Sequence, residues 1–504
     1  MSTVVRTREA ARAGGLRALP VAARERPRAT FAAICALAAA VFLVDLGRSS
    51  FFIDEIFSFN ASASGFSDIA REVRSAEVAP PAYYYLLHAW IVLTGADTET
   101  MLRLPSALAG VAFVGAVAWL GTIIGGRRAG VIAGVLAALS PLTLQYAQEV
   151  RSYIFAMLAV ALALAAAIRL SQEPERRRWL VLGMASSAAA LALNYTSGFV
   201  TFPLALWLLF QTNVTLPRRL AFAAATGLPI LVFLPLILDQ MGAGHHAGTD
   251  AYARITGLGL VRLLGTPFDG RPREDVSASL EIGLVVIIDA LALLAFADPL
   301  RRLPARWLVV FGAVIPVVFV IAYSAVVHPA AISRYTAVAA PLMLVAVGLA
   351  VAHSGRVLAF LLGGAALLAS VLGLVVSKSA VGQWPDSRGA LQAAGDRWRS
   401  GDGLIHLEYL GFTNALDYYT DRLLPSSSQG RIFAATSLPA ALRTSEVQRM
   451  VRERKRLWLV SEPPLGMPDV ERRLQAVGYR VKDERSYEGQ IDVGLVLAQP
   501  RSPG

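Results

Sequence analysis

The sequence predicts an all-α membrane protein of about eleven transmembrane helices, followed by a soluble α/β domain. Three observations support this fold class. Hydrophobic residues make up 55% of the 504 residues and charged residues only 16%. The mean hydropathy is +0.53, well above that of soluble proteins. Long apolar runs alternate with short arginine clusters as far as residue 376, as in multi-pass membrane proteins.

The first element is an arginine-rich tail, residues 1–30, followed by the apolar run Phe31–Gly47. Arginine next to a first span favours the cytoplasmic side, so the amino terminus is predicted to be cytoplasmic. The run lacks the short apolar region and small-residue cleavage site of a signal peptide, so we expect a retained anchor. It begins a predicted transmembrane domain over residues 31–376.

The first outward loop is predicted over residues 48–103 and opens with Asp54 and Glu55. Carboxylates at a membrane edge are costly unless they face water or serve a function. Within this loop, Tyr83–Thr94 is apolar but too short to cross a bilayer, and Pro80-Pro81 precedes it as a helix start. We therefore predict an interfacial or re-entrant helix there, which keeps the later arginine clusters on one side.

The remaining spans are predicted from apolar runs between arginine clusters. These runs are Leu104–Ile124, 129–145, 153–170, 179–196, 198–213, 220–238, 280–297, 307–326, 336–352 and 356–376. The other outward loops are then about 146–152, 239–279 and 327–335. Two glycine pairs, Gly121-x-x-x-Gly125 and Gly130-x-x-x-Gly134, predict close helix packing.

The tail, residues 377–504, changes composition and predicts a soluble α/β domain. Its predicted strands are Leu404–Leu407, Leu457–Val460 and Val493–Leu497, with helical patterns near 388–399, 438–454 and 468–477. An odd number of spans places this domain outside the cytoplasm, in a protein of the cytoplasmic (inner) membrane. It carries no recognisable catalytic motif.

Charge and cysteine content exclude other classes of function. The net charge of +11 comes from scattered arginine clusters rather than a continuous basic face, so nucleic acid is not a predicted partner. Cys35 is the sole cysteine, so no intramolecular disulfide can form and redox chemistry is not expected.

The outward loops collect polar residues that suit phosphate binding and proton abstraction. A carboxylate can deprotonate a hydroxyl, and arginines and tyrosines can hold a phosphate. Each residue also has a structural interpretation. Asp54 and Glu55 can be solvated loop residues, Glu149 and Arg151 an ion pair, and Tyr83–Tyr85 part of an interfacial aromatic belt.

Taken in order, these segments resemble the polytopic glycosyltransferases of the GT-C fold, in particular bacterial relatives of glycosyltransferase family 39. That family includes protein mannosyltransferases and aminoarabinose transferases. The resemblance is carried by five motifs: Ile53-Asp54-Glu55, Pro80-Pro81-x-Tyr83-Tyr84-x-Leu86-Leu87-His88, Arg103-Leu104-Pro105-Ser106, Gln148-Glu149-x-Arg151-Ser152-Tyr153 and Arg334-Tyr335.

The resemblance implies an inverting enzyme that takes a sugar from a polyprenyl-phosphate donor at the outer face of the cytoplasmic membrane. The acceptor is a glycan, a lipid or a protein. Asp54 is then the base, and Glu55 supports its position or binds the acceptor. The predicted donor-phosphate ligands are Arg103, Arg151, Arg334, Tyr335 and Tyr84. The predicted acceptor or supporting residues are Glu149, His88 and Tyr153.

One departure from the family pattern affects the choice of substrate. Aminoarabinose transferases carry lysine just before the diproline element, where this chain has Ala79. The phosphate ligands are therefore expected among arginines, and a role in lipid A modification is disfavoured. No metal or other cofactor is expected; loss of activity in EDTA with recovery in manganese would contradict this.

Two other functions fit a polytopic chain. A polymerase acting on lipid-linked oligosaccharides is poorly separated by sequence from a single-sugar transferase. A secondary transporter is disfavoured because its charges would lie at the membrane midplane within internal repeats.

Overall fold

The structure is a computed structural model that describes residues 27–242, 263, 265–268, 289, 306–326, 333–379, 384–407, 414–462, 465–488 and 492–501. The arginine-rich tail before residue 27, most of the predicted loop 239–279 and all of the predicted span 280–297 except residue 289 lie outside these residues.

The part of the chain before residue 380 is helical wherever regular structure is described. Its helices are α1 (Pro27–Leu43), α2 (Ile53–Ala63), α3 (Ile69–Ala76), α4 (Ala82–Thr94), α5 (Glu99–Leu139), α6 (Pro141–Ala147), α7 (Tyr153–Gln172), α8 (Arg177–Leu193), α9 (Gly198–Leu209), α10 (Leu216–Gly242), α11 (Arg306–Val326), α12 (Ser333–Thr336), α13 (Ala340–His353) and α14 (Arg356–Lys378).

Six helical segments in the described residues are long and apolar enough to cross a membrane. They are α5, α7, α10, α11, the segment Arg334–His353 and α14. Every predicted span other than 280–297 coincides with a described helix, although α1, α8 and α9 are shorter than these six. The mostly helical class is confirmed, and the number of crossings stays a prediction.

Helix α5 is a hairpin of two antiparallel helices rather than one long rod. Gly126 has φ 81° and ψ 175°, a backbone conformation essentially restricted to glycine. The two legs touch through glycine: a Cβ on Gly121 would lie 3.0 Å from Gly130 Cα, and one on Gly130 would lie 2.4 Å from Ala118 O. The predicted boundary near residues 125–128 and the predicted packing role of these glycines are both confirmed.

Hydrogen bonds group the helix ends at one face of the helical domain. Gln148, between α6 and α7, donates from Nε2 to the carbonyls of Phe42 (2.8 Å) and Val44 (3.1 Å). Lys378, at the end of α14, donates to Val44 O at 2.7 Å. The ends of α1 and α14 therefore lie beside the loop that precedes α7.

The arginine clusters at Arg127 and Arg356 lie at the other face. Arg127, at the turn of the α5 hairpin, donates to Thr30 Oγ1 near the start of α1 at 2.8 Å. His353 Nε2, at the end of α13, lies 3.0 Å from Gly125 O. Arg356 begins α14 only three residues after His353, so these predicted clusters share one end of the domain.

Helix α4 has the length and surface of an interfacial helix. Its 13 residues span about 20 Å, less than the ~30 Å of a bilayer core. Tyr83, Tyr84 and Leu87 are buried against the protein, whereas Leu93 is 82% exposed. An exposed apolar side on a short helix fits a position along the membrane surface, as the sequence predicted.

The carboxyl-terminal part is an α/β domain with a mixed five-stranded sheet. Its strands are β1 (Gly403–Leu407), β2 (Ile432–Ala435), β3 (Leu457–Ser461), β4 (Tyr479–Tyr487) and β5 (Val493–Pro500). The order is β2-β1-β3-β5-β4; β2, β1 and β3 are parallel, and β5 runs antiparallel to β3 and β4. The three predicted strands are confirmed, while β2 and β4 were not predicted.

The described residues of this domain also form five α-helices: α15 (Ser387–Gly395), α16 (Asn414–Leu423), α17 (Leu438–Ala441), α18 (Ser445–Arg452) and α19 (Met467–Ala476). The helical pattern near 438–454 thus forms two helices separated at Thr444, which caps the second through its side chain.

The sheet domain and the first outward loop share one apolar core. Phe51, in the loop, packs with Tyr418 and Tyr419 of α16 in a cluster that also contains Trp458 of β3. The domain therefore sits directly on the segment that leads to Asp54.

Candidate active site at the start of α2

Helix α2 places Asp54 and Glu55 in its first turn. The helix begins at Ile53, and Glu55 closes a capping arrangement by accepting from Phe52 N at 3.0 Å. Carboxylates are favoured at this position by the helix dipole. The two side chains nonetheless differ sharply in exposure: Glu55 is 1% exposed and Asp54 is 32% exposed.

Glu55 forms a buried ion pair with Arg103. Arg103 donates from Nε to Oε1 at 2.9 Å and from Nη2 to Oε2 at 2.8 Å. With Val150 N donating to Oε1 at 3.0 Å and Phe52 N to Oε2, the carboxylate accepts four hydrogen bonds. Glu55 therefore supports the position of this turn and has no exposed oxygen for an acceptor.

Arg103 is fully engaged within the protein. Besides Glu55, it donates from Nη1 to Leu46 O (3.3 Å) and Ser49 O (2.8 Å), and from Nη2 to Ser50 O (3.0 Å). These contacts use all five of its N–H groups, and its side chain is 1% exposed. The geometry thus argues against the predicted phosphate-binding role of Arg103, which instead fixes the loop between α1 and α2.

Asp54 lies between two arginines that are distant in sequence. Arg334 Nη1 is 3.4 Å from Asp54 Oδ2, and Arg151 Nη2 is 3.9 Å from the same oxygen. Arg334 belongs to α12 and Arg151 to the segment just before α7. The fold therefore brings together three of the predicted site residues in one partly exposed group.

Arg151 is held by Glu77, a carboxylate absent from the predicted site. Arg151 donates to Glu77 through Nη1 at 2.5 Å and Nη2 at 3.2 Å. Burial lowers the pKa of Arg151, but Glu77 and Asp54 more than offset this and hold the pKa well above its usual range. The guanidinium is therefore a permanent cation beside Asp54.

Tyr84 belongs to this network but does not face a free phosphate site. Its hydroxyl donates to Glu77 Oε2 at 2.6 Å. Burial, together with Glu77, raises the pKa of Tyr84, so the phenol stays protonated and acts as a donor. The predicted hydrogen bond from Tyr84 to phosphate is replaced by one to Glu77. Glu77 could have been found from the sequence, because it lies three residues before the Pro80-Pro81 element of the second motif.

Two tyrosines lie beside the site arginines. The Tyr153 ring centre is 5.8 Å from Arg151 Cζ, and the Tyr335 ring centre is 5.4 Å from Arg334 Cζ. Aromatic faces at this distance attract a guanidinium and limit its orientations. Tyr153 and Tyr335 are therefore placed to orient the two cations.

Two other predicted residues are less directly placed. His88 Nδ1 lies 2.8 Å from Ser62 O, about two helical turns along α2 from Asp54, so the fold does not bring it to the carboxylate. Glu149 is buried and accepts from Gln145 Nε2 at 3.0 Å, which fits a supporting position.

The described part of the chain contains no group of three or more His, Cys, Asp or Glu side chains arranged to hold a metal ion. The charged groups that converge there are the partly exposed Asp54 carboxylate, Arg334, and Arg151 with its partner Glu77. Such a set can accept a proton at Asp54 and bind a phosphate through guanidinium N–H groups.

Comparison with known proteins supports the resemblance inferred from the motifs. The sequence profile of a family described as dolichyl-phosphate-mannose-protein mannosyltransferase matches residues 78–238. This range contains Arg103 and Arg151 but neither Asp54 nor Arg334. No curated protein sequence matches the chain.

Among solved structures, ArnT from Cupriavidus metallidurans, bound to undecaprenyl phosphate, is similar with a TM-score of 0.55 at 13% identity. The alignment covers 92% of this chain and 97% of ArnT. The arabinofuranosyltransferase AftD from Mycobacteria is similar with a TM-score of 0.50 at 16% identity, covering 94% of this chain and 42% of AftD. The chain thus has the GT-C fold, and its resemblance to glycosyltransferases of the protein mannosyltransferase and ArnT type is confirmed.

Proposed function

We propose that this chain is an inverting glycosyltransferase that moves a sugar from a polyprenyl-phosphate donor to an acceptor of the cell envelope. The observation that carries the proposal is the partly exposed Asp54 carboxylate between Arg334 and Arg151. The undecaprenyl phosphate bound in the similar ArnT structure supports a lipid-phosphate donor of this kind.

In the proposed reaction, the acceptor hydroxyl attacks the anomeric carbon while Asp54 accepts the hydroxyl proton. The bond between the anomeric carbon and the phosphate oxygen breaks, and polyprenyl phosphate leaves with the bonding electron pair. Arg334 and Arg151 stabilise the charge that develops on the leaving phosphate. Phosphate needs cations more than a proton donor, so one base and two arginines are sufficient.

A single displacement is favoured because no second carboxylate near Asp54 is available as a nucleophile among the described residues. Glu55 accepts four hydrogen bonds and is buried. Glu77 is occupied by Arg151 and Tyr84. Retention would require a nucleophilic carboxylate beside the reacting carbon, whereas one displacement inverts it.

Donor binding would also prepare the base. The contact between Arg334 Nη1 and Asp54 Oδ2 is long, at 3.4 Å, so a phosphate would compete with Asp54 for the same guanidinium. Transfer of Arg334 to the phosphate would leave Asp54 free to face the acceptor. Tyr335, which lies against Arg334, would limit the path of that movement.

We further propose that the site faces the outside of the cytoplasmic membrane. Arg127 and Arg356 support this orientation, because arginine clusters favour the cytoplasmic side and these lie at the end opposite Asp54. The transmembrane domain would extend over residues 31–376 and the outer α/β domain over residues 377–504, with residues 1–30 as a cytoplasmic tail.

The proposal is tested by complementing a gene deletion with wild type, Asp54→Asn or Asp68→Asn. Asp68 is a partly exposed carboxylate of the same loop that pairs with Arg71, so it is a matched control. Envelope glycans and polyprenyl-phosphate sugars are measured by mass spectrometry. We expect the deletion strain to lose one sugar from a glycan while its lipid-linked donor persists, and only Asp54→Asn to fail in restoring it.

Full restoration by Asp54→Asn, at equal membrane levels, would remove Asp54 from the reaction. Loss of whole repeat units instead of one sugar would indicate a polymerase acting on lipid-linked oligosaccharides.

A further inference from the structure

Residues 46–52 lie between α1 and α2 and lead directly to Asp54. The carbonyl groups of this segment at residues 46, 49 and 50 accept hydrogen bonds from Arg103 of the transmembrane helix α5. This accounts for one side of the segment. The other side is held by the carboxyl-terminal domain.

Tyr419 of α16 provides a direct hydrogen bond to this segment. Phe51 N donates to Tyr419 Oη at 2.6 Å, and the hydroxyl in turn donates to Glu99 Oε1 at 2.9 Å. Burial and the Glu99 carboxylate raise the pKa of Tyr419, so its proton remains in place for the bond to Glu99. One phenol therefore links the amide three residues before Asp54 to the start of α5.

Residues 384–388 make a second set of contacts with the same segment. The Phe52 and Trp384 rings are stacked at 3.9 Å with an interplanar angle of 13°. Ser50 Oγ donates to Asp386 Oδ1 at 3.0 Å, and Arg388 donates to Gly47 O at 3.0 Å.

We propose that the carboxyl-terminal domain completes the catalytic centre, with Tyr419 and Trp384 as positioning residues that hold Asp54 through Phe51 and Phe52. This role rests on the transfer reaction proposed above. Asp54 is in the first turn of α2, so a shift of residues 51 and 52 moves its carboxylate relative to Arg334 and Arg151. The domain thus contributes to the reaction through the position of Asp54.

Adjacent tyrosines provide a matched pair of variants. Tyr419→Phe removes the hydroxyl that accepts from Phe51 N. Tyr418→Phe removes a hydroxyl of the same helix that donates to Asp97 O at 2.7 Å and makes no hydrogen bond to residues 46–52 in the described structure. Tyr419→Phe loses the hydrogen bonds to Phe51 and Glu99, and Tyr418→Phe loses the one to Asp97. The Tyr418 ring also packs against Phe51, but the phenylalanine variant keeps that ring, so only Tyr419→Phe loses a hydrogen bond to the segment before Asp54.

The first measurement is hydrogen–deuterium exchange of the full-length protein in detergent. We expect faster exchange in peptides covering residues 49–57 for Tyr419→Phe, and wild-type exchange there for Tyr418→Phe. This readout needs no substrate. Equal protection of the segment in both variants would overturn the anchoring role of Tyr419.

The second measurement is steady-state transfer with the lipid-linked donor identified by the deletion experiment. We expect Tyr419→Phe to lower kcat by about 10-fold to about 100-fold, with an almost unchanged KM for the donor. Tyr418→Phe should retain wild-type kcat. Trp384→Ala should lower kcat similarly, and Trp384→Phe should restore it because a stacked ring is retained.

The outcomes separate the two proposals. Wild-type kcat in Tyr419→Phe, with an active wild-type enzyme, would overturn the positioning role alone. A wild-type protein that transfers no sugar would refute the proposed function and the positioning role together, whatever the exchange result.

Discussion

Asp54 and Glu55 are adjacent in sequence but have different surroundings because successive helix residues point about 100° apart. Glu55 faces Arg103 and the protein interior, while Asp54 faces Arg334 and remains partly exposed. Glu55 therefore stabilises the first turn of α2, while Asp54 is available to accept a proton. The sequence marked the pair as a candidate site but could not assign the roles, since the assignment depends on where Arg103 packs.

Replacing one member of the buried pair should be strongly destabilising. Glu55→Gln leaves the Arg103 guanidinium buried without its countercharge, and such changes cost about 3–5 kcal/mol. We expect a marked fall in the thermal unfolding temperature of the detergent-solubilised protein. Asp68→Asn, which breaks the exposed pair with Arg71, should change stability by at most about 1 kcal/mol. Equal effects of the two variants would contradict the structural role of Glu55.

Arg334 should contribute to donor binding and also to turnover, because the proposed contact with the phosphate persists as its charge develops. Arg334→Gln removes charge-assisted hydrogen bonds to phosphate worth about 1.5–3 kcal/mol, so the KM for the donor should rise by about 10-fold to about 100-fold. Arg334→Lys should fall between wild type and Arg334→Gln because it keeps the charge but not the planar group. Steady-state kinetics check this, with Arg356→Gln at the opposite face as the control. A donor KM and a kcat that are both unchanged in Arg334→Gln would exclude Arg334 as a phosphate ligand.

At the scale of elements, apolar runs predicted helices well because hydrophobic length is a local property of sequence. The boundary near residue 126 was visible as Arg127-Arg128, and α4 was recognised by its short length. Strands β2 and β4 were not predicted because β2 is an apolar run of only four residues and β4 is largely polar. Its place in the sheet depends on pairing with β5, a tertiary contact.

The α5 hairpin depends on the backbone conformation of Gly126. Gly126→Ala should destabilise the protein by about 1–3 kcal/mol, because this φ, ψ combination is strained for any residue with a Cβ. Gly364→Ala is the matched control, since a Cβ there meets no atom within 4 Å and lies inside helix α14. Thermal unfolding of both variants in detergent tests this. A Gly126→Ala protein as stable as wild type would show that the turn can adopt another conformation.

At the scale of the whole molecule, the two ends of the helical domain carry different chemistry. The end with Asp54 carries the arginines of the site and the α/β domain, and the other end carries Arg127 and the start of α14. This separation could be predicted from the arginine positions, because cytoplasmic loops of membrane proteins are enriched in Lys and Arg. The contacts between the α/β domain and residues 46–52 were not predictable, since they join positions more than 300 residues apart.

Sidedness can be measured with single cysteines in a Cys35→Ala background. The two variants are Glu471→Cys and Arg177→Cys. Glu471 is exposed on α19 of the α/β domain, and Arg177 begins α8, near the end of the helical domain opposite Asp54. We expect a membrane-impermeant maleimide to label position 471 in intact spheroplasts and position 177 only after permeabilisation. Labelling of position 177 in intact spheroplasts would reverse the proposed orientation.

Glu99 and Arg103 stand one helical turn apart at the start of α5. Glu99 accepts from Tyr419 and Arg388 of the α/β domain, while Arg103 holds Glu55 and the loop before α2. Both attachments therefore share one rigid support. When α5 tilts or shifts in the bilayer, the domain and the loop are carried through the same displacement. Their mutual alignment is therefore maintained when the surrounding helices move.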